Sequence, residues 1–331
     1  MTLFRAIIST LLCLTPALAQ AACSGASLLD RFTPEQRAEL ADAAAATPYG
    51  DGLFWTARKD GREITLAGTM HLYDDRHAAL LDRIADPLRA ADILLVEMTP
   101  QEEAEMQRAM ADDPSLVFIT EGPTLPDQLP EELWQELAAA ARDRQVPGFV
   151  AAKSQPWFLS MTLSIPPCAV GELSGGLRGL DHMIMDTAEA ADVDMASLED
   201  WRTLPDYFRT MSMDDQIDML RMALIAPELQ SEAFVAMLDS YFAGRVAEIW
   251  EMSRLSADLL PPDTRDAALS GLDITEDLLL DARNVAWIPV ILDAAETHDR
   301  VFVAAGAAHL PGETGVLALL EQEGWEITPL P

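Results

Sequence analysis

"REITLAGTMH", Arg62 to His71, and "RVFVAAGAAH", Arg300 to His309, are one phrase written at opposite ends of the chain. Each opens on Arg, runs through apolar and β-favouring residues into Ala-Gly, and closes on a His three residues beyond that Gly. Such runs read as strands. A Gly at a strand's tip, Gly68 or Gly306, lets the backbone turn sharply and approach a ligand closely. The following His, His71 or His309, would emerge where ligands gather in open α/β sheets, beyond the carboxyl ends of the strands. Two such units side by side would bring two imidazoles together, and imidazole is both a common metal ligand and the usual acid or base near neutral pH. The bland alternative is that each His is structural or incidental.

A third group stands in "LLVEM", where Glu97 ends an otherwise apolar strand. Burying a lone carboxylate is unfavourable, so Glu97 needs a partner. A metal ion shared with two His is one answer; a plain ion pair with an Arg is the other. Of the remaining His, His77 lies in a helical surface pattern and His298 in the polar turn "ETHDR", so both read as solvated. His182, after "GLD", is intermediate.

Working outward, "LFWTAR" and "REITLAGT" flank the turn signal "KDG" and predict a hairpin. "TPEQRAELADAAAATPYG" predicts a helix capped by Thr33 with Pro34 in its first turn. "DILLVEM", "VDMASLED" and "WEITPL" predict further short strands, and helices fill most of the rest. The block from about residue 200 to 290 has helical spacing throughout. Its Met211, Met213, Met219 and Met222 read as core filler, and Pro289 as the kink of a long helix. No Gly-, Ser- or Pro-rich linker divides the chain. The expectation is an α/β (α+β) protein, residues 20–331 forming one domain whose ends meet in a mixed central sheet, with a large helical insertion or cap.

The chain has 331 residues and a net charge of −33, from 55 acidic and 22 basic residues. That surface repels nucleic acid and anionic membranes, and favours cations, cationic partners or neutral substrates. Acidity alone also serves solubility. "MTLFRAIISTLLCLTPALAQA" carries Arg5, an apolar run too short to span a bilayer, and the small-x-small site Ala17–Ala19. It reads as a signal peptide, residues 1–19, and implies a periplasmic or secreted protein. Gln20 makes "QAAC" a poor lipoprotein box for lipidation at Cys23. No other segment predicts a membrane span. With Cys13 removed, Cys23 and Cys168 remain, an even pair in an oxidising compartment that predicts a disulfide.

"GTMHLYDDR", "LLVEM", "GLD", "SLED", "RN" and "GAAHLPGETGVLALLEQEGWEITPL" resemble the TraB/GumN family, which includes the Tiki metalloproteases and belongs with EreA/ChaN-like proteins. The resemblance runs from about Gly52 to the C-terminus. It implies a sheet shared by two similar halves with a helical insertion. It also implies a divalent-metal site for peptide hydrolysis, with Mn or Co favoured over Zn, built on Gly68/His71 and Gly306/His309. The acidic landmark maps to Glu97, "SLED" supplies Glu199, "GLD" supplies Asp181, and "LLDARN" supplies Arg283 and Asn284.

Three functions are open on this reading. The first is a metal-dependent peptide hydrolase: His71, His309 and Glu97 or Glu199 hold the ion, the other Glu is general base, Arg283 stabilises an oxyanion or orients that Glu, and Asn284 donates a hydrogen bond. The second is a haem- or iron-binding periplasmic protein using His71 or Tyr73. The third is a non-catalytic interaction protein of the envelope. The chain lacks H-E-x-x-H, so an ordinary zincin is excluded.

Overall fold

The structure is a computed structural model that describes residues 23–171, 178–260 and 262–330. The predicted signal peptide and its cleavage site lie outside the described residues.

Six strands form one mixed sheet: β1 (Phe54–Lys59), β2 (Arg62–Thr69), β3 (Ile93–Val96), β4 (Asp194–Ser197), β5 (Arg300–Gly306) and β6 (Glu326–Pro329), in the order β4-β3-β5-β2-β1-β6. β1 is antiparallel to both β2 and β6, and the pairs β2–β5, β3–β5 and β3–β4 are parallel. The first eight helices are α1 (Pro34–Ala46), α2 (His77–Arg89), α3 (Pro100–Asp112), α4 (Leu125–Gln128), α5 (Glu131–Asp143), α6 (Gly148–Ala151), α7 (Pro156–Ser164) and α8 (Leu180–Ala190). Seven more follow: α9 (Thr203–Thr210), α10 (Met213–Met222), α11 (Pro227–Phe242), α12 (Val246–Ser256), α13 (Pro262–Glu276), α14 (Ala282–Thr297) and α15 (Val316–Gln322).

Local chemistry sets these boundaries. Asp60 and Gly61 take positive φ (51° and 84°), the geometry that joins two twisted strands through a two-residue turn. α1 and α3 each open on a capping box, Thr33 with Gln36 and Thr99 with Glu102. α7 stops at Ser164, just ahead of Pro166 and Pro167.

The sheet is covered on both faces, which is why β5 reads as nearly continuous hydrophobic sequence. On one face Leu66, Val301, Val303 and Ala305 pack with Trp287 and Ile291 of α14 and Leu317 and Leu320 of α15. On the other, Ala67, Phe302 and Ala304 pack with Ile84 and Leu88 of α2 and Leu180 and Ile184 of α8. The two ends of the chain repeat one plan of strand, His-bearing turn, helix, strand, β2-α2-β3 and β5-α15-β6, and interleave in the sheet. The helical block carries apolar clusters of its own, one of them built on Leu137, Leu159, Leu163 and Leu220.

Cys23 and Cys168 form a disulfide. It closes a loop with a sequence separation of 145, for which the chain-entropy relation gives about 5 kcal/mol. No helix among the described residues is long and apolar enough to cross a membrane.

Three local expectations are corrected. His77 is not solvated: it is fully buried at the start of α2, against Tyr241 and Phe242, and neither ring nitrogen has a hydrogen-bond partner. Met213, the first residue of α10, is exposed rather than core filler. α14 runs through Pro289, and the departure from regular helix is a π segment upstream, Asp277–Asp281.

A candidate site at the carboxyl edge of four parallel strands

β4, β3, β5 and β2 are neighbours, and each delivers one side chain just past its carboxyl end. Glu199 follows β4, Glu97 follows β3, His309 closes a 3₁₀ turn (Ala307–His309) after β5, and His71 follows β2. The strand pairing is offset by one residue from the sequence alignment, since Gly68 faces Ala305 and Thr69 faces Gly306. The two His units are therefore neighbours but not equivalents.

Close backbone approach fixes both turns. A Cβ on Gly68 would lie 3.0 Å from the Ala307 Cα, and one on Gly306 would lie 3.3 Å from Glu97 Oε1. Gly179, the N-cap of α8, donates its N–H to the His71 carbonyl at 2.9 Å, and Leu180 donates to the Met70 carbonyl at 3.0 Å. A Cβ at Gly179 would sit 1.8 Å from the Met70 oxygen. The Tyr241 hydroxyl donates to the Gly68 carbonyl at 3.1 Å.

The His71 Nδ1 lies 2.7 Å from Asp181 Oδ2, in the first turn of α8. A carboxylate accepts only, so Nδ1–H donates. That bond raises the imidazole to about 9 against the pull of burial, with Glu97 contributing, and His71 is an imidazolium at pH 7. Half of its side chain is open to solvent (53%), so water screens the pairing. Asp181 is held far below the ordinary carboxylate range: burial opposes this, but His182 and His71 outweigh it. The pairing continues outward. His182 Nδ1 lies 3.4 Å from Asp181 Oδ1, out of hydrogen-bond line, and its Nε2 lies 3.1 Å from Glu103 Oε1 on α3. Asp181 and then Glu103 raise His182 to about 10.

His309 is buried (4% exposed). Its Nδ1 lies 2.7 Å from Asn284 Oδ1, while Asn284 Nδ2 donates to the Thr314 carbonyl at 3.1 Å. A carbonyl only accepts, so this bond fixes the amide's orientation and leaves its oxygen to receive the His309 Nδ1–H. Burial lowers His309 to about 4, and at pH 7 its Nε2 carries a lone pair. The ring lies 4.3 Å from that of Trp287, centroid to centroid.

Between the two glutamates lies Arg283. Its Nη2 donates to Glu97 Oε2 at 2.7 Å and to Glu199 Oε1 at 2.5 Å, and its Nε donates to Glu199 Oε1 at 2.9 Å. Its Nη1 reaches His309 Nε2 at 3.3 Å and the Leu279 carbonyl at 3.0 Å. Glu97 thus has the arginine partner weighed above, together with the Gly306 N–H at 2.7 Å. Burial would raise the Glu97 carboxyl, yet His309, His71, Arg283 and Gly306 bring it down to about 2. With His309 neutral, the Arg283 and His71 charges and the Gly306 N–H keep it ionised.

His71, Glu97, Asp181, Glu199, Arg283, Asn284 and His309 all lie at this edge, whereas Tyr73, offered for haem, is exposed and donates its hydroxyl to Asp75. Asn284 is fully buried and faces His309 and Thr314, so it positions rather than reaching outward. The sequence reading did not assign Glu103, Trp287 or Gly179. Only the Asp181-His182 adjacency hinted at the outer pair, since Glu103 meets His182 through folding alone.

Two features bear on a metal. For the ion, both imidazoles tie Nδ1 to a fixed oxygen, which leaves Nε2 as the remaining ring nitrogen of each, as in metal-ligating His, and a carboxylate completes a familiar donor set. Against it, no three His, Cys, Asp or Glu side chains among the described residues are grouped closely enough to hold one ion. The donor chemistry fits; a guanidinium engages two of the donors.

The doubled strand-Gly-x-x-His unit, joined by carboxylates from the next two strands, defines an α/β protein with its polar site on the carboxyl edge of the sheet. The chain belongs to the TraB/PrgY/gumN family, whose sequence model matches residues 53–329. No curated protein matches it.

Proposed function

We propose that the chain is an exported metal-dependent hydrolase of peptide bonds, with His71, His309 and Glu97 as ligands of a divalent ion (Mn, Co or Zn). The observation that carries this reading is the shared anchoring of the two imidazoles, each held through Nδ1 by a fixed oxygen, Asp181 for His71 and Asn284 for His309, so that Nε2 is the free position of each ring for a ligand. Such an ion lowers the pKa of bound water and polarises a carbonyl.

The chain's own groups take the other roles. Asp181 and Asn284 orient the two rings. As a ligand His71 would have to be the neutral imidazole, with its Nδ1–H kept on Asp181 and its Nε2 unprotonated. Glu199 serves as general base, and Arg283, which donates to it through Nε and Nη2, orients it. Export agrees with the leader-like first residues and with the disulfide. The acidic surface favours cationic or neutral peptides and disfavours nucleic acid.

One observation favours a second reading, a non-catalytic envelope protein: both glutamates already have a partner in Arg283, which pairs with each of them. Metal content of protein purified without chelator, and peptide cleavage with added Mn, Co or Zn, separate the two. Hydrolysis and bound metal should both disappear in His71→Ala and in His309→Ala. Unchanged metal and activity in both variants would remove the hydrolase reading.

A further inference from the structure

We infer that Arg283 is a built-in stand-in for the ion: it holds the unloaded site closed by occupying the His309 and Glu97 donors, and it yields them by withdrawing onto Glu199. This rests on the metal reading above and adds to it a means of regulation.

The geometry carries the argument. Of the three donors, two are engaged by the same guanidinium, through Nη1 to His309 Nε2 (3.3 Å) and Nη2 to Glu97 Oε2 (2.7 Å). A lone pair that accepts from Arg283 cannot at the same time ligate a cation, and like charges this close repel strongly in a buried site. The guanidinium and the ion are therefore alternatives.

Arg283 also has somewhere to go. Its Nε and Nη2 both reach Glu199, so a pivot can release His309 and Glu97 without stranding the charge. The backbone behind it has slack. The π segment Asp277–Asp281 directly precedes α14, and such turns hold an extra residue that can be taken up into regular helix. Arg283 Nη1 is bonded to Leu279 inside that segment, and Thr314, five residues beyond His309, donates its hydroxyl to Asp281 at 2.6 Å. The device explains how an acidic site survives empty: without Arg283 or an ion, Glu199 would lose the guanidinium that holds it, and Glu97 would keep only His71 and the Gly306 N–H.

The test is calorimetric titration of chelator-treated protein with MnCl₂ and with ZnCl₂, using wild type, Arg283→Met, Glu199→Gln and the double variant, each checked for folding by circular dichroism. Arg283→Met should bind the ion at least tenfold more tightly than wild type. Glu199→Gln, which removes the place of withdrawal, should bind at least tenfold more weakly. Adding Glu199→Gln to Arg283→Met should change little, because Glu199 acts through Arg283. Wild-type binding with equal or weaker binding by Arg283→Met overturns the stand-in and leaves the metal reading intact. If Arg283→Met does not fold, the test falls to Glu199→Gln, and affinity equal to wild type overturns the stand-in. No binding by any folded variant overturns the stand-in and the metal reading together.

Discussion

The same ten-residue phrase folds into two neighbouring strands, yet its two His come out opposite in character. His71 is half-open, paired with a carboxylate and raised to about 9. His309 is buried, paired with a carboxamide and lowered to about 4. The strand and the Gly do not make the difference. It comes from what each turn meets: the start of α8 with Asp181 in one case, the start of α14 with Asn284 in the other. A repeated motif fixes where an imidazole emerges, and the non-repeated helices decide its charge.

The largest way to break the comparison is through the glycine that lets a helix dock on one turn only. Gly179→Ala would drive a Cβ to 1.8 Å from the Met70 carbonyl. α8 must back away, losing two backbone hydrogen bonds to the His71 turn. The expected destabilisation is about 3–4 kcal/mol, measured by denaturant unfolding. With Asp181 displaced, His71 should titrate near its ordinary value while His309 stays low, as followed by NMR of the imidazole carbons. A shift of both rings would show that the two halves are not independent. Gly315→Ala, with a Cβ 2.2 Å from the Pro311 carbonyl, is the mirror experiment on the turn after His309.

The opposed pKa shifts also predict opposed limbs in stability against pH. Unfolded His takes up its proton near 6.5, whereas His309 in the fold does so only near 4. Between those values the unfolded chain binds the extra proton, so this group's effect on stability falls as pH drops from 6.5 to 4. The full loss is about 3 kcal/mol, and His309→Asn should flatten that acid limb. For His71 the sign reverses. Its stabilisation is fully present below 6.5 and disappears as pH rises through about 9. Solvent screening makes this alkaline limb the smaller of the two, and His71→Gln should flatten it. His182, raised to about 10, extends the same limb and should remain in the His71 variant. An acid limb untouched by His309→Asn would mean that another group, buried His77 foremost, carries it.

Much of the fold was legible because its signals are local. The Lys59-Asp60-Gly61 turn, the Thr33 cap and the apolar run of β5 each determine their own geometry. The carboxyl-edge placement of Glu97, His71 and His309 could be read from strand ends. What escaped depends on contacts distant in sequence. The one-residue offset between β2 and β5 is set by packing on both faces of the sheet, and a gapless alignment cannot contain it. His77 looked solvated because its helix start is polar in sequence; the residues that cover it, Tyr241 and Phe242, arrive from α11. The π segment was hidden for a similar reason: Pro289 is the obvious helix breaker, but the irregularity falls where Arg283 and Asn284 must be aimed.

The finest test exchanges the two anchors. Asp181→Asn removes the carboxylate from His71, and Asn284→Asp gives one to His309. A charge at hydrogen-bond distance moves a pKa by about 1–3, so His71 should fall toward its ordinary value and His309 should rise by a similar amount. The responses will not be symmetric. Asn284 Nδ2 donates to the Thr314 carbonyl, and an Asp there would set an acceptor against an acceptor, destabilising the fold by about 1–3 kcal/mol. His71 stands in water's reach and can lose its partner at little structural expense. Because His309 begins neutral beside Arg283, a protonated His309 in Asn284→Asp would also push the guanidinium toward Glu199. If His309 stays near 4 with a carboxylate on its Nδ1, burial rather than the partner's charge sets the contrast between the halves. Then only opening the pocket at Trp287, which lies against the His309 ring, would bring the two imidazoles closer in character.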